Sequence, residues 1–504
     1  MNDSIDVLII GSGPVGAAFA RHLADNGVTN ILVVEAGSAL TPETGLNIRN
    51  LAPEAREVAW RRAREFPLAA VPPSQNAKAP VARPGTHLLN AAGAGDDPHQ
   101  GMPAAAMSSN LGGMGVHWTC ACPRPGDSEK IAFLDAAELD AAFQTAESYL
   151  RVTAQGFPQT ALSQQIITRL NQHFGAARPV ARQAQPMPLA CTPRDGDKPC
   201  WSGVDAVLGE LAQADVRARR GVEIRTNTLC RRLLTHAERV TGAELYHLPD
   251  GEAYTVTAKV VIVAADALRT PQLLYASGIR PHALGRWLND QPQVIALIEV
   301  DAPATATSPV QPMVDGRDNV SGVTWLPFHE ADFPFHGQLM QMDTSPIAMQ
   351  QNGPASGKPV VGLGLFLAKT LREEDRIVFE EETDALGMPR MRLEYQLTQE
   401  DHARLAQALK MVTQVGDALG GVAQGGEAMI LPAGTSLHYQ GTYRIGPVDD
   451  GTCVADTHSR VWGYDNLYVG GNGAIPGATA CNPTLTSVAL AVMAADAITA
   501  RFFR

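Results

Sequence analysis

Cysteine is scarce in this chain, with seven residues in 504, an odd number scattered from Cys120 to Cys481. Such usage speaks against a disulfide framework and fits reduced thiols packed in the interior. Cys120 and Cys122 alternate as on a strand, and Cys191 and Cys200 lack a second pair at ligand spacing, so no metal site is expected. Positive charge is also in deficit: 40 Lys and Arg stand against 52 Asp and Glu, a formal charge of −12. That balance argues against nucleic acid or an anionic membrane as partner and leaves small molecules. The apolar VALAVMAA stretch is flanked by Ser487 and Asp496, so no run is expected to reach the roughly 18 residues of a membrane span. The opening MNDSIDVLIIGSG has neither a basic stretch nor a small-residue cleavage site. No signal peptide and a cytoplasmic location are therefore expected.

What is present is ordinary globular composition, 45% hydrophobic and 18% charged, in a length that suits two or three domains. Residues 5–35 read as one βαβ unit: apolar VLII, the turn GSGPVG, a helix with Ala17, Ala20, Leu23 and Ala24 on one face, then ILVVEAG. From 51 to 107 prolines recur and periodicity weakens, with one short helix expected at Glu54–Arg64, as in a segment that wraps the surface or covers a site. Leu139, Phe143, Ala146 and Leu150 mark an amphipathic helix that Asp135 caps. Strands follow at Glu223–Leu234, Thr241–Leu248 and Tyr254–Val263, the last two joined by the hairpin signal Pro249-Asp250-Gly251. Between about 295 and 400 an antiparallel sheet with one wet face is expected. Its clearest strand is Arg390–Leu397, with Met391, Leu393, Tyr395 and Leu397 on one face. Loops at 302–320 and 343–359 are candidate substrate loops, and a helix at 401–419 ends at Gly420-Gly421. No internal repeat is visible.

Two glycine-rich frames carry the chemistry. Gly11, Gly13 and Gly16 form GxGxxG between strand and helix, with Pro14 and Val15 opening the helix, and Glu35 follows 24 residues after Gly11. Glycines let the backbone approach a pyrophosphate, and an acid at that distance holds a ribose hydroxyl pair. The bland alternative is a plain strand-turn-helix, and the motif does not separate FAD from NAD. Near the C-terminus, SLHYQGTYRIG and YVGGNGAIPGATACNPTLTSVALA set His438 and Asn482 in glycine-rich surroundings. Oxidising a carbinol needs a base for the hydroxyl proton and a polar partner for the oxygen, and this pair supplies both. A hydrogen-bonded structural histidine is the alternative for His438.

Together with SSNLGGMGVHWTCACPRP (Ser108–Pro125), those segments resemble the glucose-methanol-choline (GMC) oxidoreductases, and within them the pyranose oxidases. ALRTPQLLYASGI, LGRWLNDQP and DNLYVGGNG extend the resemblance over most of the chain. It implies FAD, with Gly112, Gly113, Trp118, Thr119, Ala265, Asn472, Gly473, Pro483 and Thr484 beside the phosphate turn as cofactor contacts. Thr119 would neighbour the flavin N5 edge. His117 takes the place of the histidine that carries a covalent flavin in pyranose oxidases; attachment and simple packing both stay open, since Gly115-Val116 replaces the usual Ser-Thr. Asp266 departs from the family's glycine. His438 takes the place of the family's base and Asn482 that of its partner at an Asn-Pro helix start. The same resemblance nominates Gln338 and Lys369 for sugar hydroxyls, and Trp325 is the candidate stacking face.

The resulting expectation is an α/β protein. A discontinuous Rossmann-type FAD domain would span 1–50, 105–150, 205–295 and 430–504, with a lid segment at 51–104. A substrate domain on an antiparallel sheet would span 151–204 and 296–429. The implied reaction oxidises C2 or C3 of a pyranose or glycoside, most consistent with a C-glycoside 3-oxidase, and reduces O2 to H2O2. Alternatives are a sugar dehydrogenase with a quinone acceptor and a non-redox lyase or flavin-binding protein.

Overall fold

Val7, Leu8 and Ile9 are fully buried, as a strand covered on both faces requires. They belong to β1 (Asp3–Ile10), the centre of a seven-stranded sheet in a computed structural model that describes residues 3–69, 85–89, 101–193, 199–302, 320–342 and 358–504. Helix α1 (Pro14–Asp25) returns the chain to β2 (Ile31–Val34), parallel to β1, and β3 (Val222–Arg225) lies parallel beyond β2. A hairpin of β4 (Thr228–His236) and β5 (Arg239–His247) leads into β6 (Glu252–Val263), with His247 opposite Glu252 across the expected turn. The first half of β6 pairs antiparallel with β5, while Asp3–Ile10 runs parallel along its other side. The single strand expected at Glu223–Leu234 is thus two, because Asn227 adopts a left-handed φ of 52° that turns the chain between β3 and β4.

The second sheet is antiparallel. Its long strands are β7 (Gln293–Glu299), β8 (Val320–Leu326), β9 (His336–Met342) and β10 (Val360–Phe366), in the order β7-β10-β9-β8. The short strands Met429–Ile430 and Gln185–Pro186 close its two edges. The alternating segment at Arg390–Leu397 forms a separate ribbon, β11 (Arg376–Thr383) with β12 (Pro389–Glu394), and Tyr395 and Leu397 stay buried past its end. The loops expected at 302–320 and 343–359 fall almost wholly outside the described residues, as does much of 51–104. Within that last span α2 (Pro53–Arg64) stands as expected.

Helix α3 (Ala136–Leu150) is capped by Asp135, whose carboxylate accepts from the backbone N–H of Ala137 and Glu138 at 3.0 and 2.9 Å. After α4 (Ala161–Phe174), α5 (Asp266–Ala276) follows β6, and α6 (Gln399–Leu419) begins at a Thr398–Asp401 capping box. A final strand, β13 (Leu467–Val469), pairs in parallel with Val261–Val263 of β6 and feeds α7 (Thr484–Phe502). Two expectations need correction. Helix α7, with mean hydropathy 1.4, is long and apolar enough to cross a membrane; it is 72% buried against the rest of the protein, packed on α1 and α3. Cys120 is not on a strand, because its φ of 62° breaks the extended run.

Candidate active site

The turn after β1 is shaped by two close approaches and one opening. A Cβ on Gly11 would lie 2.2 Å from the Ala264 carbonyl oxygen, and one on Gly16 would lie 2.0 Å from that of Gly11, so strand, turn and helix pack through bare backbone. A Cβ on Gly13 would meet nothing within 4 Å, because that position faces a cavity of about 300 Å³ lined also by Pro14 and Val15. The N-terminus of α1 thus meets the cavity with no side-chain cap, the arrangement in which a helix end receives a phosphate. Glu35 lines the same cavity and accepts from Ser12 N–H at 3.2 Å, Ser12 Oγ at 2.7 Å and Gly37 N–H at 2.9 Å. Burial raises its pKa, and the bonds from Gly37 and Ser12 oppose that.

Ser12 Oγ in turn accepts from Gly112 N–H at 2.9 Å, which ties the second glycine segment to the phosphate turn. Beyond Gly113 the cavity wall is His117, Trp118 and Thr119. His117 Nε2 lies 2.6 Å from Ser108 Oγ, and its Nδ1 is buried without a hydrogen-bond partner. Burial depresses its pKa to about 4, so the ring is neutral at pH 7. The indole N–H of Trp118 donates to Ser202 O at 2.9 Å, which fixes the Trp118 ring in the wall. Asp266 sits at φ 69°, the left-handed conformation for which glycine is the low-cost choice, and its carboxylate accepts from the N–H of Leu268 and Arg269 at 2.6 and 2.9 Å. This cap on α5 offsets the backbone cost. Ala265, Asn472 and Thr484 also line the cavity. Gly473 and Pro483 shape the backbone: a Cβ on Gly473 would lie 2.2 Å from the Tyr443 ring, and Pro483 stands at the N-cap of α7.

His438 and Asn482 meet at the same cavity, with Asn482 Nδ2 3.4 Å from His438 Nε2. Leu437, at φ 62°, turns the chain just before the histidine. The imidazole stacks on Phe366 of β10 at 5.6 Å between centroids and 23° between planes. Its tautomer follows from a neighbour that sequence reasoning missed. Gln291 Nε2 donates to the carbonyls of Thr479 and Cys481 at 2.8 and 2.7 Å, so Gln291 Oε1 is the acceptor 2.7 Å from His438 Nδ1. Neutral His438 therefore carries its hydrogen on Nδ1 and its lone pair on Nε2, the atom beside Asn482. Gln291 lies in the LGRWLNDQP segment, but only the fold shows what it touches. Behind it, Asp290 holds Ser436 Oγ and accepts from Gly434 N–H at 2.9 Å; burial pushes its pKa up to about 6.

The three substrate candidates part ways. Gln338 is buried and reaches the pair, its Nε2 2.9 Å from Asn482 Oδ1. Trp325 offers no open stacking face, being 6% exposed with its indole N–H given to His336 Nδ1 at 3.0 Å. Lys369 is not brought to the site at all: its ammonium is buried in an ion pair with Asp375 and donates to Thr370 O at 3.1 Å. His336, also missed, is fully enclosed; burial above all, then the charge of His438, depresses its pKa to about 3, with its contact to Asn482 opposing. Among the described residues no group of three His, Cys, Asp or Glu is placed to hold a metal.

The geometry agrees with what the chain is similar to. Residues 126–293 and 376–491 match the N- and C-terminal family models described as GMC oxidoreductase. A C-glycoside 3-oxidase from Microbacterium trichothecenolyticum is 42% identical over 98% of this chain and 97% of its own, and one from Arthrobacter globiformis is 41% identical over 98% and 95%. A pyranose 2-oxidase from Tricholoma matsutake is 32% identical over 98% and 93%. In fold, a pyridoxine 4-oxidase from Mesorbium loti superposes with a TM-score of 0.67 at 18% identity, covering 99% of this chain and 100% of its own. With a dinucleotide cavity, a histidine-asparagine pair at its end and matches of this extent, the chain belongs to the GMC oxidoreductases, FAD flavoproteins that act on CH–OH groups.

Proposed function

We propose that this protein oxidises the C3 hydroxyl of a glycoside, C-glycosides included, to the 3-keto product and passes the electrons to O2, giving H2O2. The observation that carries the reading is the near full-length identity to C-glycoside 3-oxidases, 42% and 41% against 32% for the pyranose 2-oxidase. The site supplies what such a reaction needs. FAD, when bound along the phosphate turn, supplies the acceptor for the hydrogen and two electrons that leave the ring carbon. His438 Nε2 holds the lone pair that takes the hydroxyl proton, and Gln291 steadies the resulting imidazolium through Nδ1. Asn482 Nδ2 faces the same point and donates to the substrate oxygen as charge develops there. Gln338 holds the Asn482 amide from behind. His117 is the candidate attachment point for the flavin, and a cytoplasmic site of action fits a peroxide-forming enzyme restricted to a scarce glycoside.

The test is anaerobic flavin bleaching by free glucose and by O- and C-glycosides, with the product read by NMR. The expected outcome is a higher kcat/KM for an aryl glycoside than for glucose, a 3-keto product and one peroxide per turnover in air. A 2-keto sugar, or glucose outrunning every glycoside, overturns the substrate; bleaching without peroxide in air points to a quinone or other acceptor. His438→Ala should slow bleaching at least about a hundredfold with FAD content unchanged.

A further inference from the structure

His438 is one end of a chain of hydrogen bonds that leaves the cavity and runs in a single direction. Its Nδ1–H donates to Gln291 Oε1 at 2.7 Å, and Gln291 Nε2–H donates to Thr479 O at 2.8 Å. Thr479 O shares a trans peptide with Ala480 N–H, so the two point opposite ways. Ala480 N–H donates onward to Glu129 Oε1 at 2.7 Å, where Cys481 N–H joins it at 3.0 Å. Every donor in the series points away from the imidazole and toward one carboxylate. Glu129 closes the short turn Asp127–Glu129 ahead of α3, is 6% exposed and stands outside the cavity lining.

The hydrogen-bonding groups shown at Glu129 all donate: the N–H of Ala480, that of Cys481, and that of Gly126 at 3.5 Å, with the charge of Arg182 nearby. Burial raises its pKa, and those groups oppose that, as a buried carboxylate requires. Amides linked in series polarise one another, so charge at either end strengthens each bond between. We propose that Glu129 is a positioning residue, the remote counter-charge of the His438 imidazolium, acting through Gln291 and the Thr479–Ala480 peptide. When the substrate O–H bond breaks and an N–H bond forms at Nε2, every hydrogen along the chain stays on its own heavy atom and only polarisation is passed. The same contacts hold the strap at 479–481 from both sides just ahead of Asn482, Gln291 by its carbonyls and Glu129 by its N–H groups. The titratable groups shown facing His438 are His336 and, through Ser436 and the His438 backbone, Asp290; Phe366, Gln291 and Asn482 face it without charge. Those shown facing Glu129 are Arg182 and the Cys481 thiol.

This inference rests on the proposed role of His438 as base, and the experiment separates the two. Glu129→Gln keeps an oxygen for both N–H groups and removes the charge. With an aryl glycoside as substrate it should move the acid limb of the kcat/KM pH profile lower by about half a unit to one unit, a loss of proton affinity of about threefold to tenfold, with FAD content unchanged. The sign follows from the charge: an anion at the far end favours the imidazolium, so its loss leaves the base unprotonated to lower pH. Asp290 titrates close to that limb and is present in every variant, so differences between variants report Glu129. In a Gln291→Leu background, where the chain is cut, the same substitution should leave the limb in place. An unmoved limb in Glu129→Gln, or an equal shift in the Gln291→Leu background, overturns the inference; the first leaves a merely structural carboxylate, the second a field acting through space. If Glu129→Gln fails to hold FAD, Arg182→Gln decides: the carboxylate loses its cation, the limb should move higher, and that shift too should vanish with Gln291→Leu. A limb that Arg182→Gln leaves in place then overturns the inference. Should His438→Ala keep its rate, the base assignment itself falls, whatever the limb does.

Discussion

Gln291 gives the sharpest single test of how the base is prepared. In Gln291→Leu the Nδ1–H of His438 loses its acceptor at 2.7 Å in a site where the glutamine is only 1% exposed, so no solvent replaces it. An unpaired buried N–H costs about 1–3 kcal/mol, and a bond to a charged group is worth about 1.5–3. The first cost is shared by the neutral ring and the imidazolium, so the barrier rises by about the second alone. At about 1.4 kcal/mol per tenfold, flavin bleaching under anaerobic stopped-flow conditions should slow by about 10- to 100-fold. A second effect must be separated, because the same glutamine holds the carbonyls of Thr479 and Cys481 just ahead of Asn482. Gln291→Glu keeps an acceptor for Nδ1–H and loses both donors to those carbonyls. If the tautomer governs the rate, Glu retains more activity than Leu; if backbone register governs, the two fall alike. A Leu variant within twofold of the parent, with FAD retained, refutes the tautomer argument outright.

If His117 carries the flavin, acid precipitation leaves colour on the polypeptide and His117→Ala releases it; free flavin from the parent protein shows that the ring only packs. Lys369→Met should leave KM for the glycoside unchanged and destabilise the protein by about 1–3 kcal/mol in urea unfolding, since buried Asp375 loses its nearest cation and keeps only Arg372 at 3.7 Å and the Gln396 N–H. A raised KM with unchanged stability would instead return Lys369 to the substrate. Buried His87 and His336 and the half-buried His117, with pKa values depressed to about 3, 3 and 4, bind fewer protons folded than unfolded. Their contribution is present above about pH 6.5 and is lost as pH falls toward 4, by about 2 kcal/mol each at pH 5. Asp290, raised to about 6, works the other way, being most stabilising below about pH 4 and losing that as pH rises to 6. The stability of the parent relative to His87→Gln should therefore fall by about 2 kcal/mol from pH 7 to 5 at constant FAD, and a difference that stays constant over that interval would contradict the burial of His87.

The parts legible in the sequence were those set by local pattern. The glycine turn, the Asp135 cap, the hairpin through Gly251 and α6 each declare themselves within a few residues, because dihedral preference and periodicity act at that range. The resemblance added His438 and Asn482, which the fold brings to one cavity. What stayed hidden depends on contacts across the chain. Nothing local marks Gln291 as the residue that sets the His438 tautomer, or His336 as the partner of Trp325. Lys369 was misleading for the same reason, since a lysine in a strand-like segment reads as an exposed hydroxyl binder until Asp375 is found beside it. The apolar length of α7 is not legible from the VALAVMAA stretch alone, because Ser487 and Asp496 lie within the helix and not at its ends.

The placement of β6 has a bearing on how the protein is made. It is flanked by a strand from residues 3–10 and by another from residues 467–469. A ribosome delivers these in order, so for the roughly 200 residues between Val263 and Leu467 the Val261–Val263 edge has no neighbour and the phosphate turn stands beside an unfinished sheet. The cavity wall that Asn472, Asn482 and Thr484 supply is complete only once the closing strand and the start of α7 have emerged, near the end of synthesis. A nascent chain stalled before Leu467 should emerge colourless, and holdase chaperones have their longest window on this one edge.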